Sequence, residues 1–219
     1  LLQAGDQLPA LVAQRLQHRL QRNAVGARDL EGARDGELAN LASVRAIVNA
    51  VDVPVQLGGG VRDESIIEQL FAAGVERLVV GTKALKEPAW LREMCRKYPH
   101  RLCLGIDARN GMVATDGWRE DSSTAATSLA SEFADEPLAA VIYTDISTDG
   151  MLAGPNTAGV EEMLAVVKVP LIASGGITTP ADVEQLATLG ASGCIIGRAI
   201  YEGKICLADV LRFEEIPRP

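Results

Sequence analysis

A segment of this chain recurs 116 residues further on, and that repeat restricts the fold more than any other feature. Residues 53–61, ValProValGlnLeuGlyGlyGlyVal, run on to Val79-Val80-Gly81-Thr82; residues 169–177, ValProLeuIleAlaSerGlyGlyIle, run on to Ile195-Ile196-Gly197-Arg198. The constant offset (170 − 54, 175 − 59, 190 − 74, 197 − 81) aligns Pro54 with Pro170, Gly59-Gly60 with Gly175-Gly176, Gly74 with Gly190 and Gly81 with Gly197, without a gap. Self-similarity at about half the chain length means two like halves rather than a solenoid of short units. Each half carries glycines at two strand ends. Glycine there lets backbone N–H groups approach an anion, and a following helix directs its positive end toward it. Two copies suggest a ligand with a phosphate at each end.

The spacing of apolar residues agrees with such a fold. Short apolar runs are predicted as strands at Val53–Leu57, Arg77–Val80, Leu102–Ile106, Ala139–Thr144, Pro170–Ala173 and Gly193–Ile196. Amphipathic stretches lie between them, for example Glu64–Ala73 with Ile66, Ile67, Leu70 and Phe71 on one face, and Ala181–Leu189 with Val183, Leu186 and Leu189. Continuous apolar strands are what a parallel sheet covered by helices requires. The expected class is α/β, a (β/α)8 TIM barrel with a two-fold internal repeat, its first strand missing or degenerate. At 219 residues a single domain over 1–219 is expected, with 1–28 an atypical segment. That segment holds Arg15, Arg19, Arg22 and Arg28 against Asp6, a charge of +3, so the other 191 residues carry −11 (−8 − 3). Leu8, Leu11, Val12, Leu16 and Leu20 have helical spacing there, and residues 1–7 offer no clear strand.

A net charge of −8 disfavours a general nucleic-acid binder, so an anionic ligand must be held by local N–H dipoles and a few arginines. No apolar run approaches the roughly 20 residues of a membrane span, and residues 1–20 lack the pattern of a secretory signal. Cys95, Cys103, Cys194 and Cys206 show no metal-ligand spacing and read as reduced thiols of a cytoplasmic protein. No membrane or nucleic-acid partner, no metal and a monomer are expected.

In barrels of this class the chemistry sits just after each strand. The residues there are Gly58-Gly59-Gly60-Val61-Arg62; Gly81 and Thr82; Asp107; Thr144 and Asp145, with Asp149 in the loop that follows; Ser174, Gly175 and Gly176; and Gly197 and Arg198. Asp107 follows its strand directly and could serve as a general acid, or could cap a loop. Thr144 and Asp149 flank ThrAspIleSerThrAspGly, where a hydroxyl and a carboxylate could orient a sugar, although Asp149-Gly150 is also ordinary turn chemistry. Arg62 and Arg198 could give charge-assisted bonds to phosphate oxygens or lie in solvent. His18 and His100 fall in or beside helical stretches and read as surface residues.

Four longer motifs carry a resemblance: ValGlnLeuGlyGlyGlyValArg; GlyIleAspAlaArgAsnGlyMetValAla with GlyTrp; TyrThrAspIleSerThrAspGlyMetLeuAlaGlyProAsn; and AlaSerGlyGlyIle with IleIleGlyArgAlaIleTyrGluGly. From about Asp29 to Leu211 the chain resembles the histidine-biosynthesis isomerases, (β/α)8 barrels that convert the ribonucleotide ProFAR to its ribulosyl isomer PRFAR. The resemblance implies an Amadori rearrangement of an aminoaldose to an aminoketose, with no metal or organic cofactor and a bis-phosphorylated ribonucleotide as substrate. It further implies Asp107 as the general acid on the ribose ring oxygen, Thr144 positioning the substrate and Asp149 supporting the loop. One phosphate would lie at Gly59-Gly60 and Gly81-Thr82, the other at Gly175-Gly176 and Gly197-Arg198, with Asp29 at the mouth. The family's first strand reads like Pro-Ala-Ile-Asp and ends in the general base; no such segment occurs here, and Asp6 does not match it. A truncated or frame-shifted start is the corresponding expectation, with activity then in question. The alternatives are the sister cyclase barrel that closes the imidazole ring with ammonia from a glutaminase, a dual isomerase also serving tryptophan synthesis, and a non-catalytic binder of a doubly phosphorylated ligand.

Overall fold

The structure is a computed structural model that describes residues 2–3, 25–28, 41–211 and 213. The chain divides into two compact units, Leu1–Cys103 and Leu104–Pro219, and each holds one copy of the repeat. Asp6, His18, Asp29 and the helical spacing of residues 8–20 lie outside the described residues.

In the first unit the elements are β1 (Leu2–Gln3), β2 (Val25–Arg28), α1 (Leu41–Ala50), β3 (Val55–Gly58), α2 (Glu64–Ala72), β4 (Arg77–Val80), α3 (Thr82–Lys86), α4 (Pro88–Lys97) and the opening residues of β5 (Leu102–Arg109). Strands β1 to β4 pair in chain order, all parallel. The first strand is therefore present in rudimentary form: Leu2 and Gln3 pair with Ala27 and Arg28, a length too short for any periodicity to announce it. Helix α2 begins where Asp63 accepts a hydrogen bond from the Ile66 amide (3.0 Å), satisfying one of the donors that a first turn leaves unpaired. Its apolar face buries Ile67 and Leu70 completely, each contributing about 1.5–3 kcal/mol by removal from water. Tyr98 closes the outer side, its ring edge-on to Phe71 and its hydroxyl donating to Glu64 Oε1 (3.0 Å).

The second unit continues β5 into β6 (Met112–Thr115) and β7 (Glu120–Ala125). Next come α5 (Ala126–Glu132), β8 (Ala140–Asp145), α6 (Thr157–Leu164), β9 (Leu171–Ser174), α7 (Pro180–Leu189), β10 (Gly193–Ile195), α8 (Arg198–Tyr201) and α9 (Leu207–Val210). The strand order is β5-β8-β9-β10, with β8, β9 and β10 parallel and β6 and β7 forming an antiparallel extension of β5. All six residues of β8 are buried, as a strand covered on both faces requires. Strand β5 runs three residues beyond the predicted end at Ile106, because Asn110 (φ 50°) and Gly111 (φ 76°) make a two-residue hairpin turn in which both central residues are left-handed. Among the described residues no helix is long and apolar enough to cross a membrane. Helices alternating with parallel strands make this an α/β chain of the (β/α)8 barrel class.

Candidate active site

The sequence repeat is also a repeat of backbone conformation. Gly59 and Gly60 have φ of 107° and 73°, and Gly175 and Gly176, 116 positions on, have 98° and 79°. Gly81 caps α3 with φ −106° and ψ −102°, while Gly197 caps α8 with −100° and −104°. Even the caps of the intervening helices correspond, Asp63 before α2 and Thr179 before α7. Positive φ at four of these positions explains glycine there.

In the second unit a further constraint acts on the pair. A Cβ on Gly175 would stand 2.4 Å from the Asp145 carbonyl oxygen, and one on Gly176 would stand 2.1 Å from the Gly154 carbonyl oxygen. The Gly154 amide donates to Gly176 O (3.1 Å). These glycines therefore admit the loop that follows β8, a role that inspection of the local sequence does not suggest. Arg198 is likewise engaged with that loop: Nη1 donates to Gly150 O (2.7 Å), and Nε donates to Glu202 Oε1. In the first unit Gly81 and Thr82 are half-buried and Arg62 is exposed.

The strand ends of the second unit bring several of the predicted residues together. The Ile146 amide donates to Ala108 O (2.9 Å), so the end of β5 carrying Asp107 lies beside the end of β8 carrying Thr144. Thr144 is in register with Ser174 on β9, and Ser174 with Ile195 on β10, two residues before Gly197. Asp107, Thr144, Ser174 and the Gly197-Arg198 end thus occupy consecutive strand ends. Thr144 and Ser174 are buried and Asp107 is half-buried. Asp149 is half-buried in the turn after β8, its amide donating to Asp145 O (3.1 Å).

Trp118 was not singled out from the sequence, yet its indole Nε1 donates to Asp107 Oδ2 at 2.6 Å and so directs the carboxylate. It belongs to a run of three positive φ values, Asp116 53°, Gly117 69° and Trp118 71°. Such conformations cost of order 1–3 kcal/mol each at non-glycine residues and cluster at functional sites. Gly117-Trp118 beside a hairpin was the available signal.

Strand β8 uses its two faces differently. Tyr143 points to the helix layer, where its hydroxyl would lie 2.6 Å from a Cβ on Gly159 of α6. Asp145 faces the same side: Oδ2 accepts from Asn156 Nδ2 (2.6 Å) and Oδ1 from the Ser147 amide (2.8 Å). Period-two alternation turns Thr144 to the opposite face. Burial, reinforced by the negative charges of Asp145 and Glu162, pushes the Tyr143 phenol up to about 12. A cavity of about 230 Å³ lies here, lined in part by Asn110, Met112, Tyr143, Glu162 and Met163, and among the described residues none of the predicted site borders it. All four cysteines are free thiols, and burial pushes Cys194 up to about 11.

The chain resembles proteins of known family. A family model described as "Histidine biosynthesis protein" matches residues 6–206, beginning nearer the N-terminus than the motifs that start at about Asp29. A protein of Picosynechococcus sp. named 1-(5-phosphoribosyl)-5-((5-phosphoribosylamino)methylideneamino) imidazole-4-carboxamide isomerase is 48% identical over 187 residues, 84% of this chain and 73% of its own. Proteins of the same name from Parasynechococcus marenigrum (49% over 193 residues, 87% and 76%) and Rhodopirellula baltica (49% over 187 residues, 84% and 74%) are also similar.

Proposed function

The chain belongs to the histidine biosynthesis protein family, and from that membership we infer that it is an intramolecular aldose–ketose isomerase converting ProFAR to PRFAR by an Amadori rearrangement. The observation that carries this reading is the row of Asp107, Thr144 and Ser174 on neighbouring strand ends, in a chain 48% identical to a protein named as such an isomerase. In the reaction the glycosidic nitrogen pushes its lone pair into the bond to C1 as the bond from C1 to the ring oxygen breaks. Asp107 gives its proton to that oxygen. The open-chain iminium then loses the C2 proton to a base, and the resulting enaminol tautomerises to the ketone; no redox partner is consumed. Thr144, on the same side of β8 as this chemistry, orients the sugar, and Asp149 supports the loop.

The relatives' name contains two 5-phosphoribosyl groups, which accords with two anion-binding ends and a bis-phosphorylated substrate. The Gly59-Gly60, Arg62 and Gly81-Thr82 ends would take one phosphate. The Gly175-Gly176 and Gly197-Arg198 ends would take the other, with a short helix after the last strand as in other barrels' phosphate sites. Asp29, which follows Arg28 in the sequence and lies outside the described residues, is counted with the substrate-binding set. Residues 1–219 are taken as one domain, the usual size of a single barrel, acting as a monomer, and the free thiols suit a reducing compartment such as the cytoplasm.

The test is turnover of ProFAR, followed by ultraviolet absorbance as PRFAR is consumed by the ring-forming reaction. Asp107→Asn keeps the shape and removes the transferable proton, so kcat should fall by about 10²–10⁴ with KM little changed. Wild-type kcat in that variant would remove Asp107 from the mechanism.

A further inference from the structure

Asp145 and Asn156 form a pair that none of the chemistry above uses. Asp145 is 5% exposed and faces the helix layer, opposite Thr144. Its carboxylate joins the two ends of the loop after β8: Oδ1 accepts from the Ser147 amide (2.8 Å) at the start, and Oδ2 accepts from Asn156 Nδ2 (2.6 Å) eleven residues later. Asn156 is at the same time the N-cap of α6, its Oδ1 accepting from the Gly159 amide (3.1 Å). The Asp145 carbonyl accepts from Thr148 Oγ1 and from the Asp149 amide, both 3.1 Å. Between these ends Gly150, Leu152 and Gly154 have φ of 69°, 54° and 90°. A loop with a left-handed leucine persists only where its surroundings over-determine it.

We propose that Asp145 and Asn156 are positioning residues, a polar brace that holds the loop and thereby the placement of Thr144 and Asp149. The loop-ordering part stands on geometry alone, and the effect on turnover rests on the isomerase reading.

The brace differs from an ordinary helix cap in a way that a substitution can expose. At an N-cap, Asn and Asp are about equivalent, so if Asn156 only capped α6, Asn156→Asp would be silent. In the brace it sets one carboxylate against another in near contact. Asp145→Asn alone faces one amide nitrogen with another, and turning Asn156 to relieve this gives up the Gly159 bond. The exchanged pair, Asp145→Asn with Asn156→Asp, restores every bond: the new amide oxygen accepts from Ser147, its nitrogen donates to the new carboxylate, and that carboxylate accepts from Gly159.

The experiment compares wild type, the two single variants and the exchanged double variant by kcat, KM and amide hydrogen exchange across residues 147–160. Each single variant should lose about 10–100-fold in kcat, more than it changes KM, as expected for a displacement of about an ångström. Each should also exchange faster in the loop. The double variant should recover both to within about threefold. Wild-type kcat and exchange in Asn156→Asp, or a folded double variant no better than the singles, would overturn the brace. If the wild-type protein does not turn over ProFAR, the isomerase reading fails by itself. The exchange pattern then decides the brace alone: restored protection in the double variant supports it, and unrestored protection overturns it.

Discussion

Thr144 and Asp145 are neighbours on one strand, equally buried, and yet they serve opposite sides of the sheet. Thr144 pairs in register with Ser174 along the row of strand ends that leads from Asp107 to Gly197. Asp145 turns to the helix layer with Tyr143, where Asn156 and Gly159 of α6 receive them. The alternation of a strand separates a face on which a substrate can be handled from a face that fixes the loop doing the handling. A polar residue at a strand end is therefore informative only once its face is known.

The largest expected difference between the faces is in turnover. Thr144→Val removes a hydroxyl from the row of strand ends and keeps the shape, and it should lower kcat on the order of 10²-fold, the usual loss for one donor at a reacting group, while shifting stability by no more than about 1 kcal/mol. Steady-state kinetics with urea unfolding on the same preparation checks both parts. Unchanged kcat would erase the functional distinction between the faces.

On the helix side the effect should be on stability. A Cβ on Gly159 would meet the Tyr143 hydroxyl at 2.6 Å and Asn156 Nδ2 at 3.0 Å. Gly159→Ala should therefore destabilise by about 1–2 kcal/mol, overpacking outweighing alanine's better helix propensity. Tyr143→Phe in the same chain removes the obstructing oxygen and should recover at least about 1 kcal/mol of that loss, a coupling visible in a double-mutant cycle. Additive losses would show that the Tyr143 hydroxyl does not set the space at Gly159.

Much of this architecture was legible in the residues, for reasons that differ from place to place. The glycines at 59, 60, 175 and 176 stood out because the sequence repeat is matched by a repeated left-handed conformation that other residues adopt at a cost. The strand ends at Thr144 and Ser174 followed from apolar runs of the right length, whereas Asp107 lies within β5, which continues to Arg109. The second constraint on Gly175 and Gly176 was not legible, because the oxygens they accommodate belong to Asp145 and Gly154, more than 20 residues earlier. The hairpin after β5 left a usable signal in Asn110-Gly111, which reads as a loop unless the strand is allowed to continue. Asp145 stood among the strand-end residues without a role, for the reason the two faces make plain: the motif ThrAspIleSerThrAspGly shows a carboxylate at a strand end but not the direction in which it points. Asp29, expected at the mouth, lies outside the described residues.

The smallest effect separates the faces by titration. Tyr143 has a folded-state value of about 12 against an ordinary tyrosine value of 10.0, raised first by burial and then by the charges of Asp145 and Glu162. A raised value means that the fold favours the protonated phenol. Below pH 10 the phenol is protonated in folded and unfolded chains alike, and its contribution is fully present. As pH rises from 10 toward 12 the unfolded chain ionises its phenol while the folded chain resists, so stability is lost across that window. Tyr143→Phe cannot undergo this loss. The difference in unfolding free energy between wild type and Tyr143→Phe should therefore be constant from pH 7 to about 9.5 and move by about 1–2 kcal/mol in favour of the variant by pH 11.5. Tyr98 and Tyr201 are the same in both proteins and cancel in the comparison. Thr144→Val, on the other face, should follow the wild-type profile, because threonine does not titrate in this range. Parallel curves for wild type and Tyr143→Phe through pH 11.5 would mean that the phenol reaches water, which is incompatible with Tyr143 being packed against Gly159 beside the carboxylate of Asp145.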